Sequence, residues 1–262
     1  GTDQRPPFTL STLDKGLSVL EEVARAGTPD GFTLTELGHR LGMHRTTLFR
    51  FLATLQHRGY LERDPMTDRY RLGIQTLTLA AGWLNDQDIR RTARPHLEAL
   101  CQRVQELVHL TILDHGEVVT IDRIEGKHPI SLQTEIGNRR PAHCTASGKA
   151  MLAFMTADDA DARLPLLLPL VTAKTITDQA ALRAEFAEIR QRGYATDDEG
   201  HFEGVRCVAA PVFNYDQRPV ASVSIAGPVQ RITLDRMVAL GEEVRAATAV
   251  ISHHLGYPVR IA

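Results

Sequence analysis

The stretch TLTELGHRLGMHRTTLFRFLATLQHRGYLERD, residues 33–64, decides the fold of the N-terminal part of the chain. Thr33 opens a capping box at the start of a short amphipathic helix, and Gly42 is the expected end of that helix. A second helix is expected to begin at His44 and to end at Gly59, with Leu48 on its apolar face. Two short helices that share one core across a glycine turn predict a helix-turn-helix.

The same stretch carries an unbalanced charge. No acidic residue occurs between Leu37 and Leu61, although four arginines and three histidines do. The second helix presents polar and basic residues near its N-terminus, which is the part that enters the major groove of DNA in this motif. A hairpin is expected after Gly59 as a wing, with arginines that face the DNA backbone. The predicted DNA-binding residues are His44, Arg45, Thr46, Thr47, Arg50, Arg63 and Arg69.

The flanking sequence extends this unit in both directions. A helix closed by Gly27 is expected before it, and residues 73–87 form an apolar segment that predicts a linker helix, with Trp83 buried between two subunits. Pro95 is expected near the start of the next helix. The predicted domains are a winged helix-turn-helix at 9–72, the linker helix at 73–87 and a second domain at 88–262. A three-helix bundle with a hairpin that contacts proteins is the alternative for the first domain.

Beyond residue 88 short alternating strands and helices follow one another. Successive hairpins with helices between them predict an α+β domain built on an antiparallel sheet. Strands are expected at 108–113, 118–122, 130–136, 207–213 and 220–225, and helices at 147–153, 180–191 and 234–255.

Composition excludes several classes of protein. An apolar share of 43% and a charged share of 24% are those of a folded globular chain, and the net charge of −2 excludes a uniformly basic nucleic-acid coat. Three scattered cysteines do not make a disulfide framework or a zinc finger. No apolar run reaches the length of a membrane span, and residues 1–5 lack the pattern of a signal peptide. A cytoplasmic protein without a membrane partner is therefore expected.

Several motifs, in this order and spacing, resemble the isocitrate-lyase-regulator (IclR) family of bacterial transcription factors. They are RTTLFRFLATL at 45–55, YRLG at 70–73, PAHCTASGKA at 141–150 and GVRCVAAPVF at 204–213. The resemblance implies a winged helix-turn-helix, a linker helix used in dimerisation and a GAF-like effector-binding domain. It also implies a homodimer or homotetramer on palindromic double-stranded operator DNA. Such a regulator, here expected to be a repressor, controls catabolic genes in response to a small organic acid.

The family's effector site can be carried over onto this sequence. The resemblance implies that a carboxylate meets the backbone amides of Ala146 and Ser147, and that Asp197, Cys207 and Ser224 approach from the facing strands. Two positions depart from the family pattern, because Ala226 replaces a second hydroxyl and Arg140 replaces an apolar residue. Fewer hydroxyls and an added guanidinium favour a carboxylate ligand larger than the smallest oxoacids.

Two other classes of function compete with this interpretation. A thiol-dependent enzyme could use Cys207 with His201 and Asp197, but a cysteine in an apolar run is usually an inert hydrophobe. A metal or redox sensor could use the same residues together with His143 and Cys144, although their spacing matches no compact zinc site. We expect no catalytic activity, no cofactor and no resident metal.

Overall fold

The chain divides into two compact units, Gly1–Asp86 and Gln87–Ala262. The structure, a computed structural model, describes residues 10–25, 30–86, 88–127 and 135–258, and it leaves out the side chains of residues 25, 81–86 and 88. The division between the units falls one residue before the predicted end of the linker helix.

The first unit is a winged helix-turn-helix followed by a further helix. Its core joins buried side chains from the three N-terminal helices and both strands, including Val19, Leu37, Leu48, Leu61 and Tyr70. The strands pair in antiparallel fashion, as a wing requires. The elements are α1 (Ser11–Arg25), α2 (Leu34–Leu41), α3 (Arg45–His57), β1 (Leu61–Arg63), β2 (Tyr70–Leu72) and α4 (Ile74–Asp86).

The helix ends predicted in this unit are confirmed where the structure describes them. Thr33 and Glu36 form a reciprocal capping box at the start of α2, which satisfies two amide groups that the helix itself leaves unbonded. Gly42 ends that helix with a positive φ of 61°, a conformation that glycine adopts without strain. The predicted closure of α1 by Gly27 lies outside the described residues.

The second unit contains one six-stranded antiparallel sheet with helices on both faces. The strand order is β5-β4-β3-β8-β7-β6, and every neighbouring pair is antiparallel. The predicted α+β class is thereby confirmed. The elements are α5 (Asp88–Val104), β3 (Leu107–Asp114), β4 (Glu117–Ile124), β5 (Arg139–Pro141), α6 (Ala146–Leu152), α7 (Ala157–Asp161), α8 (Gln179–Arg192), β6 (Ala195–Asp198), β7 (Val205–Phe213), β8 (Pro219–Pro228) and α9 (Leu234–His254).

The two faces of this sheet bury different sets of side chains, because successive residues of a strand point to opposite faces. One face carries Val108, Val208 and Val223 and packs against Leu97 of α5 and Leu240 of α9. The other face packs against α6 and α8, and we call it the inner face. Its apolar contacts include Val118, Ala195 and Ala209 of the strands with Ala150 of α6 and Phe186 of α8.

One sequence expectation for this unit needs correction. Pro95 lies in the interior of α5 and not near its start. Ile89, Ala93 and Leu97 form one buried face that runs through the proline, so apolar burial on both sides offsets the cost of a proline inside a helix. Part of the strand expected at 130–136 lies outside the described residues, and the strand found in this region is β5. The sequence analysis also missed β6.

Candidate functional site

The N-terminus of α3 presents its polar side chains to solvent. His44 is the N-cap residue with extended backbone angles, and the helix begins at Arg45. Leu48 and Leu52 are fully buried in the core, so the positions of the first turn before Leu48 face outward. All five predicted residues of this helix are exposed, namely His44, Arg45, Thr46, Thr47 and Arg50.

A groove joins this helix end to the wing. It is lined in part by Arg45 and Thr46 of α3 and by Arg63 of β1. Asp68 holds the guanidinium of Arg63 at 2.7 Å across the wing turn, and that guanidinium lies 5.8 Å from the ring centre of Tyr70. The groove therefore places cations from two elements around one concave surface.

Arg69 is separated from the other predicted DNA-binding residues. It lines a different groove, and its guanidinium donates to the carbonyl oxygen of Gly31 at 2.7 Å and to Glu36 at 3.3 Å. Both contacts fix the base of the wing to the start of α2. The Arg69 side chain is still 33% exposed, so the expectation that it faces the DNA backbone stays a prediction.

Phe49 is an exposed aromatic residue of the groove that sequence reasoning missed. Phe49 is 53% exposed and lines the groove beside Arg45 and Thr46. An aromatic ring on the polar side of a helix, directly after a buried leucine, is the signal that could have identified it. Such a ring can contact the methyl group of thymine.

The predicted effector side chains all lie on the inner face of the six-stranded sheet. Directly paired residues of neighbouring strands project from the same face. Asp197 pairs with Cys207, and Cys207 pairs in turn with Ala226. Ser224 is two residues before Ala226 on the same strand. Arg140 pairs with Val118, which belongs to the inner-face cluster. The register thus brings four strands to one surface.

Asp197 is a buried carboxyl group at the β6 end of this face. It is 4% exposed, and its Oδ1 accepts a hydrogen bond from the amide of Gly200 at 2.6 Å. Burial raises the pKa of Asp197 to about 6, against the opposing effects of the Lys149 charge and of the backbone amides of Gly200 and His201. A carboxyl group with this pKa can be protonated when an anion approaches it.

The helix α6 starts on the same side of the sheet. Thr145 caps it by accepting a hydrogen bond from the amide of Gly148 at 3.2 Å. Ala146 and Ser147 form its first two residues and are both buried. Gly148 allows α6 to lie directly against the backbone of Ala142, because a Cβ built at Gly148 would lie 2.2 Å from the carbonyl oxygen of Ala142.

The thiols near this face are held in their protonated forms. Burial raises the pKa of Cys207, and it raises the pKa of Cys144 to about 12. The Nδ1 atom of His201 lies 3.6 Å from the Sγ atom of Cys144. Burial lowers the pKa of His201 to about 4. An activated cysteine needs a low thiol pKa beside a basic imidazole, so this arrangement does not favour a thiolate nucleophile.

His109 is an inner-face residue that sequence reasoning missed. It is 2% exposed and pairs with Ser224 on one side and with Arg123 on the other. Within the part of the chain that the structure describes, its Nε2 atom has no hydrogen-bond partner. Burial, followed by the charges of Arg140 and Arg123, lowers the pKa of His109 to about 3. A histidine between Val108 and Leu110 in an apolar strand was the available signal.

Two further observations hold for the described residues. Among these residues, no three His, Cys, Asp or Glu side chains come together as a possible metal site. No helix in the same set has the length and apolar character needed to cross a membrane.

Comparisons with known proteins agree with the resemblance seen in the sequence. The profile of the IclR helix-turn-helix domain matches residues 12–65, and that of the C-terminal domain of bacterial IclR transcriptional regulators matches residues 81–253. The transcriptional regulator XynR of Escherichia coli is 32% identical over 250 residues, which cover 95% of this chain and 98% of that protein. The transcriptional repressor IclR of Escherichia coli is 30% identical, with 93% and 89% covered.

Solved structures give the same result for the fold. The Thermotoga maritima IclR structure superposes with a TM-score of 0.79 at 30% identity, covering 95% of this chain and all of that one. An IclR homologue from Microbacterium hydrocarbonoxydans, solved with 4-hydroxybenzoate, has a TM-score of 0.80 at 27% identity, covering 93% and 98%. The expected combination of a helix-turn-helix with an α+β domain is confirmed. The chain belongs to the IclR family of bacterial transcriptional regulators.

Proposed function

We propose that this regulator is a repressor of catabolic genes that binds a palindromic operator as a dimer or a dimer of dimers and responds to a small organic acid. The inner face supports the role in sensing an organic acid, because residues of four strands project from it. These residues are Asp197, Cys207, Ser224, Ala226 and Arg140. Side chains so far apart in sequence have no common local reason to meet on one surface.

The operator contact is assigned to the exposed end of α3. Arg45 and Arg50 supply donors for guanine edges or phosphates, while His44, Thr46 and Thr47 add shorter polar contacts. Arg63 reaches the backbone from the wing. Since operator DNA lies in the bacterial cytoplasm, the protein is assigned to the same compartment.

The dimer is assigned to the linker helix α4. Ile74, Leu77 and Leu79 are apolar and more than half exposed, with Leu77 at 61%. An exposed apolar patch of this kind marks an interaction surface. The side chain of Trp83, expected at the same interface, lies outside the description. Two copies related by a two-fold axis would present their α3 helices to successive major grooves about 34 Å apart.

The acid is assigned to the space between α6 and the inner face. One carboxylate would meet the amides of Ala146 and Ser147, and Asp197 would accept a hydrogen bond from a ligand hydroxyl or carry a proton. Because Ala226 offers no hydroxyl and Arg140 adds a cation, the ligand would be larger than the smallest oxoacids. The relative solved with 4-hydroxybenzoate, an aromatic hydroxy acid, supports this class.

The test combines ligand binding with operator binding. Purified protein is screened by thermal shift against small carboxylic acids, because a ligand that binds only the folded state raises the melting temperature. Ser224→Ala is expected to lose the effect of the active acid on operator affinity. Ser222→Ala, two residues earlier on the same strand, is the matched control and keeps it. An unchanged response of Ser224→Ala would remove Ser224 from the site.

Separate measurements test the proposed dimer and the inferred absence of catalysis. Light scattering at micromolar concentration is expected to give at least a dimer, and Leu77→Glu is expected to lower the mass. A monomeric mass of the unmodified protein contradicts the assembly. We also infer that the chain is not an enzyme, since burial keeps the thiols of Cys207 and Cys144 protonated. Turnover of a carboxylic acid or an ester by purified protein would contradict this inference.

A further inference from the structure

The centre of the inner face holds a buried histidine whose hydrogen bonding is incomplete. His109 lies on β3 between its pairing partners Ser224 on β8 and Arg123 on β4. The Nε2 atom is shielded from solvent and has no partner among the described residues. A buried polar atom without a partner is unfavourable in the free protein, and such atoms call for an explanation, which a bound ligand provides.

Positive charge surrounds this histidine on the side of β4 and β5. Arg140 lies on the inner face at β5, and its charge adds to the effect of burial in lowering the pKa values of His109 and His201. Arg123 acts on His109 as well, although Glu125 partly compensates its charge at 2.8 Å. The imidazole itself is neutral at physiological pH, so it contributes a hydrogen bond and not a charge.

The opposite half of the inner face has a different character. Asp197 and Cys207 lie on β6 and β7, together with the polar Ser224 on β8. From β7 to β3 the face spans two strand spacings, about 10 Å. A ligand that contacts both halves must therefore be extended and must carry a polar group at each end.

We propose that the effector is a dicarboxylic acid whose second carboxylate binds at His109 and Arg140. This inference rests on the proposed function, in which an organic acid occupies the inner face. The neutral imidazole can donate from Nε2, and the guanidinium supplies the charge that favours an ionised carboxylate over an amide or a hydroxyl at this end. His109 thereby decides between acids that share their first carboxylate and differ at the far end.

The experiment compares ligands that differ by one charge. Calorimetric titration of the full chain uses adipate and terephthalate, each against its own monoamide, which has nearly the same size and one carboxylate fewer. At least one dicarboxylate is expected to bind about tenfold more tightly than its monoamide. Equal or tighter binding of both monoamides overturns the proposal, as does the absence of binding by both dicarboxylates.

Substitutions test which residues cause the preference for the dicarboxylate over its monoamide. Arg140→Met and His109→Leu are each expected to reduce the preference for the dicarboxylate to within about threefold. Arg139→Met is the matched control, because Arg139 is the neighbouring residue on β5, is exposed and pairs with Glu117 and Asp114. It is expected to retain the full preference. Arg140→Met provides the test if His109→Leu does not fold, and an unchanged preference in Arg140→Met overturns the proposal.

The outcomes separate this inference from the proposed function. The sensing site stands and the second carboxylate site is wrong if three results occur together. These are binding of 4-hydroxybenzoate or hexanoate, loss of that binding in Ser224→Ala, and no preference for a dicarboxylate. If no acid of the series binds or changes operator affinity, both fail.

Discussion

The two proposed functional regions of this regulator differ in how far their side chains are removed from water. Arg45, Thr46 and Arg50 at the start of α3 are exposed, whereas Asp197 and Ser224 on the inner face are each 4% exposed. DNA is a large partner that approaches from outside, so its contacts need only reach the surface. A small ligand is recognised in a concave site, where polar groups lose water.

This difference decides what a substitution should change. At the exposed end of α3, removing a side chain leaves the fold intact and alters affinity alone. On the inner face, the same kind of change alters packing, hydrogen bonding and protonation, because burial couples each group to its neighbours. The following predictions compare substitutions in the two regions, from the largest expected effect to the smallest.

The largest difference in unfolding free energy is expected between alanine substitutions of two glycines. In Gly148→Ala the new Cβ would lie 2.2 Å from the carbonyl oxygen of Ala142, so α6 must shift, and overpacking of this kind costs about 3 kcal/mol of unfolding free energy. Gly42→Ala has open space but a positive φ, so only backbone strain of about 1 kcal/mol is expected. Urea unfolding of both variants measures the comparison. Equal losses would show that α6 is not tightly packed.

A second prediction uses the pH dependence of two adjacent carboxyl groups. Asp197, with a folded pKa of about 6, holds a proton that the unfolded chain loses at about pH 4. The unfolding free energy should therefore fall by roughly 3 kcal/mol as the pH rises from about 4 to about 6. Asp197→Asn should remove this fall, while its amide oxygen can still accept from Gly200. Urea unfolding from pH 4 to pH 8 provides the measurement.

The control for this prediction is the neighbouring residue, Asp198. Burial raises its pKa, but hydrogen bonds from Arg206 and Lys174 outweigh that effect and hold the pKa below the usual range. Its stabilising contribution is present above the pKa of the unfolded chain and is lost as the pH falls through the folded pKa. Asp198→Asn should therefore change the pH dependence in the opposite direction. The same change in both variants would contradict the assigned burial of Asp197.

The third prediction concerns operator affinity. Arg45→Ala should cost roughly 1–3 kcal/mol of binding and relax specificity at one base pair if Arg45 reads a guanine, and Arg50→Ala should add to the loss. The melting temperature should hardly change, because both side chains are exposed. Gel shifts measure the affinity, with Arg218→Ala in the β7–β8 turn of the second unit as the control. Undiminished binding by the double variant would remove α3 from the interface.

The smallest effect is expected within the wing. Arg69→Ala should lower the melting temperature by a few degrees, because it removes the hydrogen bonds to Gly31 and Glu36. Arg63→Ala should leave the melting temperature unchanged and weaken binding to all DNA sequences alike, as expected for a phosphate contact. If Arg69→Ala weakened operator binding without affecting stability, Arg69 would be a DNA contact rather than a structural residue of the wing.

Local sequence signals predicted much of the fold. The capping box at Thr33, the glycine stop at Gly42 and the buried Leu48 specify the helix-turn-helix, because each acts within a few residues of itself. Helix periodicity then gives the exposed side of α3. The predicted hairpins around His115 and Asp216 are confirmed for the same reason, since a tight turn fixes the register of its own strands.

Contacts between distant residues decided the rest. Pro95 is accommodated inside α5 by apolar packing on both sides, and Arg69 turns inward because Glu36 and Gly31 lie beside it in the folded unit. Neither outcome has a signal within one helical turn. The edge strand β6 is short and carries two acidic residues, so its pairing with β7 is the main reason it is a strand.

The sequence by itself determined the helices of the DNA-binding unit, their exposed basic end and the α+β class, and through family motifs it gave the individual residues of the proposed effector site. Only the tertiary structure decided that these members share one face, that Asp197 has a raised pKa and that His109 lies among them. The physical reason is the distance along the chain over which each kind of interaction acts. Capping and periodicity act along the chain, whereas desolvation and charge depend on which strands become neighbours in the sheet.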